Sequence, residues 1–92
     1  MITARQSRAA RALLDWTQET LADRALVSLT ALKRLESGQH AVYESTEDQV
    51  RRTLEASGIV FLSSDQGEGV MLVRAKMPIV SNDRDRGRRR SR

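Results

Sequence analysis

Ten consecutive residues, Ser28-Leu29-Thr30-Ala31-Leu32-Lys33-Arg34-Leu35-Glu36-Ser37, sort two kinds of side chain onto two sides of a helix. At 100° per residue, Ser28, Ala31, Leu32 and Leu35 fall on one side. Thr30, Lys33, Arg34 and Ser37 fall on the other, with Leu29 at the border. The first side can dock on a core. The second offers an ammonium, a guanidinium and two hydroxyls, which is equipment for reading hydrogen-bond patterns rather than for making bonds. Catalysis finds little support elsewhere in the 92 residues. The chain has no cysteine, so a disulfide framework, a thiolate zinc site and a cysteine nucleophile are excluded. His40 is the one histidine, with no basic or metal-binding partner in view, and reads as a loop residue. No carboxylate pair, nucleophile with base, or phosphate loop stands at workable spacing. The segment Gln66-Gly67-Glu68-Gly69 lacks the Lys-Ser/Thr and the helix that a nucleotide loop needs, and reads as a turn. Neither an enzyme nor a cofactor is expected.

The polar side of that helix must be held by neighbours, and capping signals place them. Thr3 followed by Gln6 is a capping box, and opens a first helix rich in alanine, arginine and leucine that ends at Asp15. Thr17 is an N-cap type, with Glu19 in the first turn to suit the dipole of a second helix. A break at Leu26-Val27 leads to Ser28, which opens a third helix from about Leu29 to Glu36, stopped at Gly38. After a loop, Ser45 with Asp48 predicts another capping box, and a fourth helix closes at Gly58. Trp16 is expected in the core or as a staple to the second helix. Arg5 and Arg8 are expected in solvent. The period then changes: Ile59-Val60-Phe61-Leu62 and Val70-Met71-Leu72-Val73 are β-prone runs on either side of the turn-forming Ser63–Gly69, a β-hairpin. Neither run alternates, so both faces are apolar. One face can pack on the helices, and an isolated hairpin is marginal in water. The economical cover for the other face is a second copy of the chain across a two-fold axis, with these eight residues as the dimer interface. The fold expected is mainly α, a bundle of four short helices followed by a C-terminal β-hairpin.

The pattern Gln18-Glu19-x-Leu21-Ala22-x-x-Ala25-x-Val27-Ser28-x-x-x-Leu32-x-x-Leu35-Glu36-x-Gly38 resembles the Cro/CI-type (XRE-type) helix-turn-helix family of lambda-like repressors. The resemblance is strongest over residues 11–38 and extends more loosely over 2–62. It implies sequence-specific binding of duplex DNA, usually by a dimer and usually to regulate transcription. A major groove admits one α-helix and shows a distinct donor and acceptor pattern for each base pair. Leu29, Thr30, Lys33 and Arg34 are then the base-reading candidates: the two cations for guanine O6 and N7, Thr30 for several base edges, Leu29 for a thymine methyl. Gln18 and Ser28, at the N-termini of helices two and three, are phosphate candidates. Ser37, Gln39 and His40, at and after the end of helix three, join them. An arginine at the place of Arg11 pairs in similar repressors with the glutamate that matches Glu36 and can also touch a phosphate.

Four positions depart from the family pattern. Leu26 stands where the turn between helices two and three usually carries glycine, at a site that commonly needs a positive φ. Leucine there either accepts ~1–2 kcal/mol of strain or rebuilds the turn. Asp15 replaces a common glycine at lower cost. Thr20 stands where a glutamate often completes a capping box, and Ser7 holds a usually apolar place.

Charge divides the chain. Residues 1–81 hold ten Lys/Arg and ten Asp/Glu, while residues 82–92 hold six arginines and two aspartates, so the whole net charge of +4 lies in the last eleven. The organisation expected is a helix-turn-helix DNA-binding domain over 1–58, a dimerisation hairpin over 59–80, and a disordered Arg-rich tail over 81–92. A neutral domain attracts DNA by local placement rather than by net charge, and the tail tunes affinity. No apolar run approaches the ~20 residues of a membrane span, and no signal peptide is read, which suggests the bacterial cytoplasm and nucleoid. The leading expectation is a dimeric repressor on a palindromic operator. The alternative is an antitoxin or antiactivator that binds a partner protein. RNA binding through the tail ranks third, because the chain has one Phe, one Tyr and one Trp and none lies in the tail.

Overall fold

The computed structural model describes residues 1–39 and 42–74. Four helices precede one antiparallel hairpin: α1 (Ala4–Leu14), α2 (Gln18–Ala25), α3 (Leu29–Glu36), α4 (Glu44–Ala56), β1 (Ile59–Ser64) and β2 (Gly67–Leu72). Local chemistry fixes most boundaries. At α1 the capping box forms: Thr3 Oγ1 accepts from the Gln6 amide, and the Gln6 side chain accepts from the Thr3 amide. Thr17 caps α2 through the Thr20 amide, and Ser28 caps α3 through the Ala31 amide. Asp15 ends α1 in the left-handed region at φ 58°. Gly38, at φ 81°, follows α3.

The start of α4 corrects the Ser45–Asp48 capping box. The helix begins at Glu44, Tyr43 is its N-cap residue, and no side chain caps it. Asp48 is occupied instead by ion pairs to Arg51 and Arg52 on the next turn. Glu44 and Glu47 in the first turn complement the dipole. Glu47 is also buried and accepts a 2.8 Å hydrogen bond from the Ile2 amide, which ties the N-terminal segment to α4.

One core serves all the elements. Leu21, Leu32, Val50 and Leu54 are buried at its centre, and Ile59 extends it to the hairpin. Gly58 (φ 101°) makes the corner between α4 and β1. A Cβ there would stand 3.2 Å from Leu72 Cδ1 and 3.3 Å from the Val73 carbonyl, so the strands close only over a glycine. The hairpin is longer and its loop tighter than the β-prone runs suggest. Ser64 pairs with Gly67, which leaves only Asp65-Gln66 as the turn. Burial alternates over residues 59–62 and 70–72 although hydrophobicity does not. Ile59 pairs with Leu72 and Phe61 with Val70, and these four face the helices. Val60, Leu62 and Met71 are exposed on the other face. The eight expected interface residues therefore split, with Val73 half-buried just beyond the end of β2. Ile59, Phe61, Val70 and Leu72 are used within the chain, because a pleated strand sends successive side chains to opposite faces. Among the described residues, no helix is long and apolar enough to cross a membrane.

Candidate nucleic-acid interface

The two halves of α3 separate as the 100° rule requires. Leu32 and Leu35 are buried against the core, and Thr30, Lys33, Arg34 and Ser37 are exposed. Leu29 is half-buried and packed on the core, so only part of it faces outward. Neither Lys33 nor Arg34 forms a salt bridge among the described residues, which leaves their donors to solvent. Ser28 uses its oxygen to accept from Ala31 and keeps its hydroxyl hydrogen. Ser37 donates its hydrogen to the Arg34 carbonyl at 3.0 Å, and must release that bond before donating to an anion. Gln39 is exposed beside it, with its amide on the same carbonyl. His40 lies outside the described residues.

The α2–α3 turn settles the question that Leu26 raises. Leu26 sits at φ 59°, ψ 40°, fully in the left-handed region, with its amide donating back to the Asp23 carbonyl. The turn keeps its geometry and accepts the strain. The side chain is 84% exposed, so no packing offsets that cost.

Beneath α3 lies a buried polar network. Glu36, 4% exposed, takes two bonds from Arg11 Nε at 3.0 and 2.9 Å and one from Arg11 Nη2 at 2.8 Å. Ser7 Oγ donates to it at 2.6 Å and Gln18 Nε2 at 3.1 Å. Arg11 Nη1 donates to the Trp16 carbonyl, and Arg8 donates to the Glu36 carbonyl, so Arg8 also caps α3. Trp16 packs on the core, with the Arg24 guanidinium 4.7 Å above its ring. Burial alone would push the Glu36 carboxyl up. The bonds from Arg11, Ser7 and Gln18, with the charge of Arg11, outweigh it and hold the carboxyl below the usual carboxylate range. The network joins α1, the start of α2 and the end of α3. Arg11 and Glu36 are thus brought together, and Gln18 is held by the same carboxylate. Its amide spends one N–H on Glu36 and keeps the other for an outside acceptor.

The geometry gives Ser7 and Leu26 roles that the sequence does not assign, and adds residues that it does not mention. Ser7, unusual for its place, is fully buried and is the third donor to Glu36. A departure from an apolar pattern at a core position was the available signal. Leu26, Tyr43, Thr46 and Gln49 border a cleft of ≈ 390 Å³ beside Thr30 and Arg34. Nothing in the spacing announces that cleft, because it exists only where the start of α4 returns alongside α3.

A family model described as helix-turn-helix matches residues 8–42, a span that covers most of α1, the α2–α3 pair and the segment leading to α4. No curated protein matches the chain.

Proposed function

For a chain that a helix-turn-helix model matches over residues 8–42, we propose a Cro/CI-type (XRE-type) regulator, a dimeric transcriptional repressor that reads a palindromic operator in duplex DNA. The α3 helices of two copies enter successive major grooves about 34–36 Å apart. Arg34 and Lys33 donate to guanine edges, Thr30 to neighbouring bases, and the outward part of Leu29 meets a thymine methyl. Gln18, Ser28, Gln39 and, after a rotamer change, Ser37 hold phosphates, with the remaining N–H groups of Arg11 behind Gln18 and His40 next in sequence to Gln39. Residues 1–58 read DNA, the outer face of the hairpin joins two copies, and residues 81–92 act as a basic arm. Repression follows from blocking polymerase, in the bacterial cytoplasm on the nucleoid.

The observation that carries this reading is the exposed donor face of α3, unpaired within the described chain and braced from behind by the Glu36 network. The test is the double change Lys33→Ala with Arg34→Ala, measured by footprinting of the region upstream of the protein's own gene. Loss of protection with the fold intact supports the reading, and retained protection overturns it.

A second reading rests on the exposed Val60, Leu62 and Met71. These suit a partner protein, as in an antitoxin or antiactivator. A monomer by sedimentation at concentrations that protect DNA would favour it over the homodimer.

A further inference from the structure

Two consecutive buried residues of α1 point to different parts of the molecule. Ser7 bonds to Glu36 at the end of α3. Gln6, 4% exposed, bonds to the hairpin: its Nε2 donates to the Leu62 carbonyl at 2.9 Å and to the Gly69 carbonyl at 3.0 Å. Leu62 and Gly69 face each other in the register, so one amide spans both strands. The third Gln6 contact, Oε1 accepting from the Thr3 amide at 3.0 Å, fixes which way the amide faces, since a flipped group would set oxygen against two carbonyls. Outside this buried joint, Glu68 on β2 accepts from Thr3 Oγ1 at 2.9 Å and from Arg5 Nε at 3.0 Å. The start of α1 therefore grips the hairpin through Thr3, Arg5 and Gln6, and Ser7 and Arg11 along the same helix grip α3.

We propose that Gln6 is a spacing-determining residue. It clamps the hairpin to α1, which is locked to α3, and so sets how far apart two recognition helices stand and which half-site separation the protein accepts. The inference rests on the dimeric reading above. A dimer joined through its hairpins transmits any freedom between hairpin and α1 to the positions of both α3 helices. One inserted base pair displaces a half-site by ~3.4 Å and rotates it by about 35°. A rigid joint rejects that change and a loose one tolerates it. Directional hydrogen bonds define an orientation better than apolar contact does, which gives the buried Gln6 amide its use at this joint.

The experiment begins with random-sequence duplex DNA, from which the wild-type protein selects its own sites. The selected duplex is then resynthesised with its half-sites one and two base pairs further apart, and as a single half-site. Gln6→Met keeps the length of the side chain and removes the three bonds. The wild type is expected to lose at least ten-fold in affinity per inserted base pair, and Gln6→Met three-fold or less. Single half-site affinity should agree between them within two-fold. A ten-fold spacing penalty retained in Gln6→Met overturns the proposal. If the wild type selects no paired half-sites, the dimeric reading fails, and the inference falls with it.

A second measurement needs neither DNA nor a variant of Gln6. Because the chain has no cysteine, Ser37→Cys with Gln66→Cys places two unique spin labels, one at the end of α3 and one at the hairpin turn. Both sites are exposed. In full-length chains diluted with unlabelled protein, one narrow distance distribution supports a rigid joint. A broad or bimodal one overturns it, even if Gln6→Met does not fold.

Discussion

The helix-turn-helix and the hairpin are held to the same helix by opposite means, and they present opposite surfaces. Below α3 the attachment is charged: Glu36, buried, is neutralised by Arg11 and bonded by Ser7 and Gln18. Below the hairpin the buried part is neutral, one amide, Gln6, and the apolar side chains Ile59, Phe61, Val70 and Leu72, with the Arg5–Glu68 ion pair left at the exposed rim. Outside, α3 shows Thr30, Lys33 and Arg34, and the hairpin shows Val60, Leu62 and Met71. Each pairing has a physical reason. Cationic side chains are well solvated and wait in water at little cost, and a stiff base keeps them aimed. An apolar patch costs free energy in water until something covers it, and its chemistry asks for area rather than aim.

The charged attachment should be the more fragile of the two. Arg11→Met strands a buried carboxylate and is expected to lower unfolding free energy by ~3–5 kcal/mol, read from a urea transition. The same group gives a pH signature. The Glu36 carboxyl is held below its unfolded range, so its contribution is full above the unfolded pKa, near 4.3, and is lost as pH falls through the lower folded value. Melting temperatures from pH 6 down to pH 3 should therefore fall more steeply for the wild type than for Glu36→Gln. Equal slopes would remove Glu36 from the acid limb.

The contrast between outer faces comes next in size. Val60→Lys with Met71→Glu introduces charge only where side chains already meet solvent, as an opposite-charge pair directly across the two strands. The monomer should stay folded, with stability changed by no more than about 0.5 kcal/mol per site, while sedimentation shifts from dimer to monomer. A dimer that survives both changes places the contact elsewhere.

A smaller effect lies at the hinge between the two helices of the motif. Leu26→Gly relieves left-handed strain of ~1–2 kcal/mol and gives back ~0.4–1 kcal/mol by loosening the unfolded chain. The net gain expected is about 0.5 kcal/mol, a rise of a few degrees by calorimetry, with DNA selectivity unchanged. The smallest effect is that of the arm. Deleting residues 82–92 should flatten the dependence of log affinity on log salt by roughly 0.9 for each phosphate that the arm neutralises, and leave base preference as it was.

Much of the scaffold was legible in the chain because caps are local. Thr3, Thr17, Ser28, Asp15 and Gly38 act within four residues of themselves, and helix boundaries follow from their chemistry. Where two local signals competed for one side chain, the cap failed. The Ser45–Asp48 box did not form, and Asp48 is held by arginines one turn along. The two apolar runs of the hairpin could not say which side faces in, since every residue on them was acceptable in a core. The polar face of α3 was legible for the opposite reason: its periodicity is unmistakable over only ten residues.

The sequence by itself determined the order of the helices and the limits of the first three, the division of α3 into a docking side and a donor side, and the placement of the excess charge beyond residue 81. Each depends on residues near one another along the chain. Only the tertiary structure decided that Leu26 keeps the left-handed turn, that Ser7 belongs to the Glu36 network, that Gln6 spans the hairpin, and that three of eight apolar side chains remain exposed on its outer face. The Ser7 and Gln6 outcomes depend on partners 29 to 63 residues away, Ser7 on Glu36 and Gln6 on Leu62 and Gly69. A hydrogen bond over that separation is chosen by how the elements pack, after local propensity has fixed what the elements are.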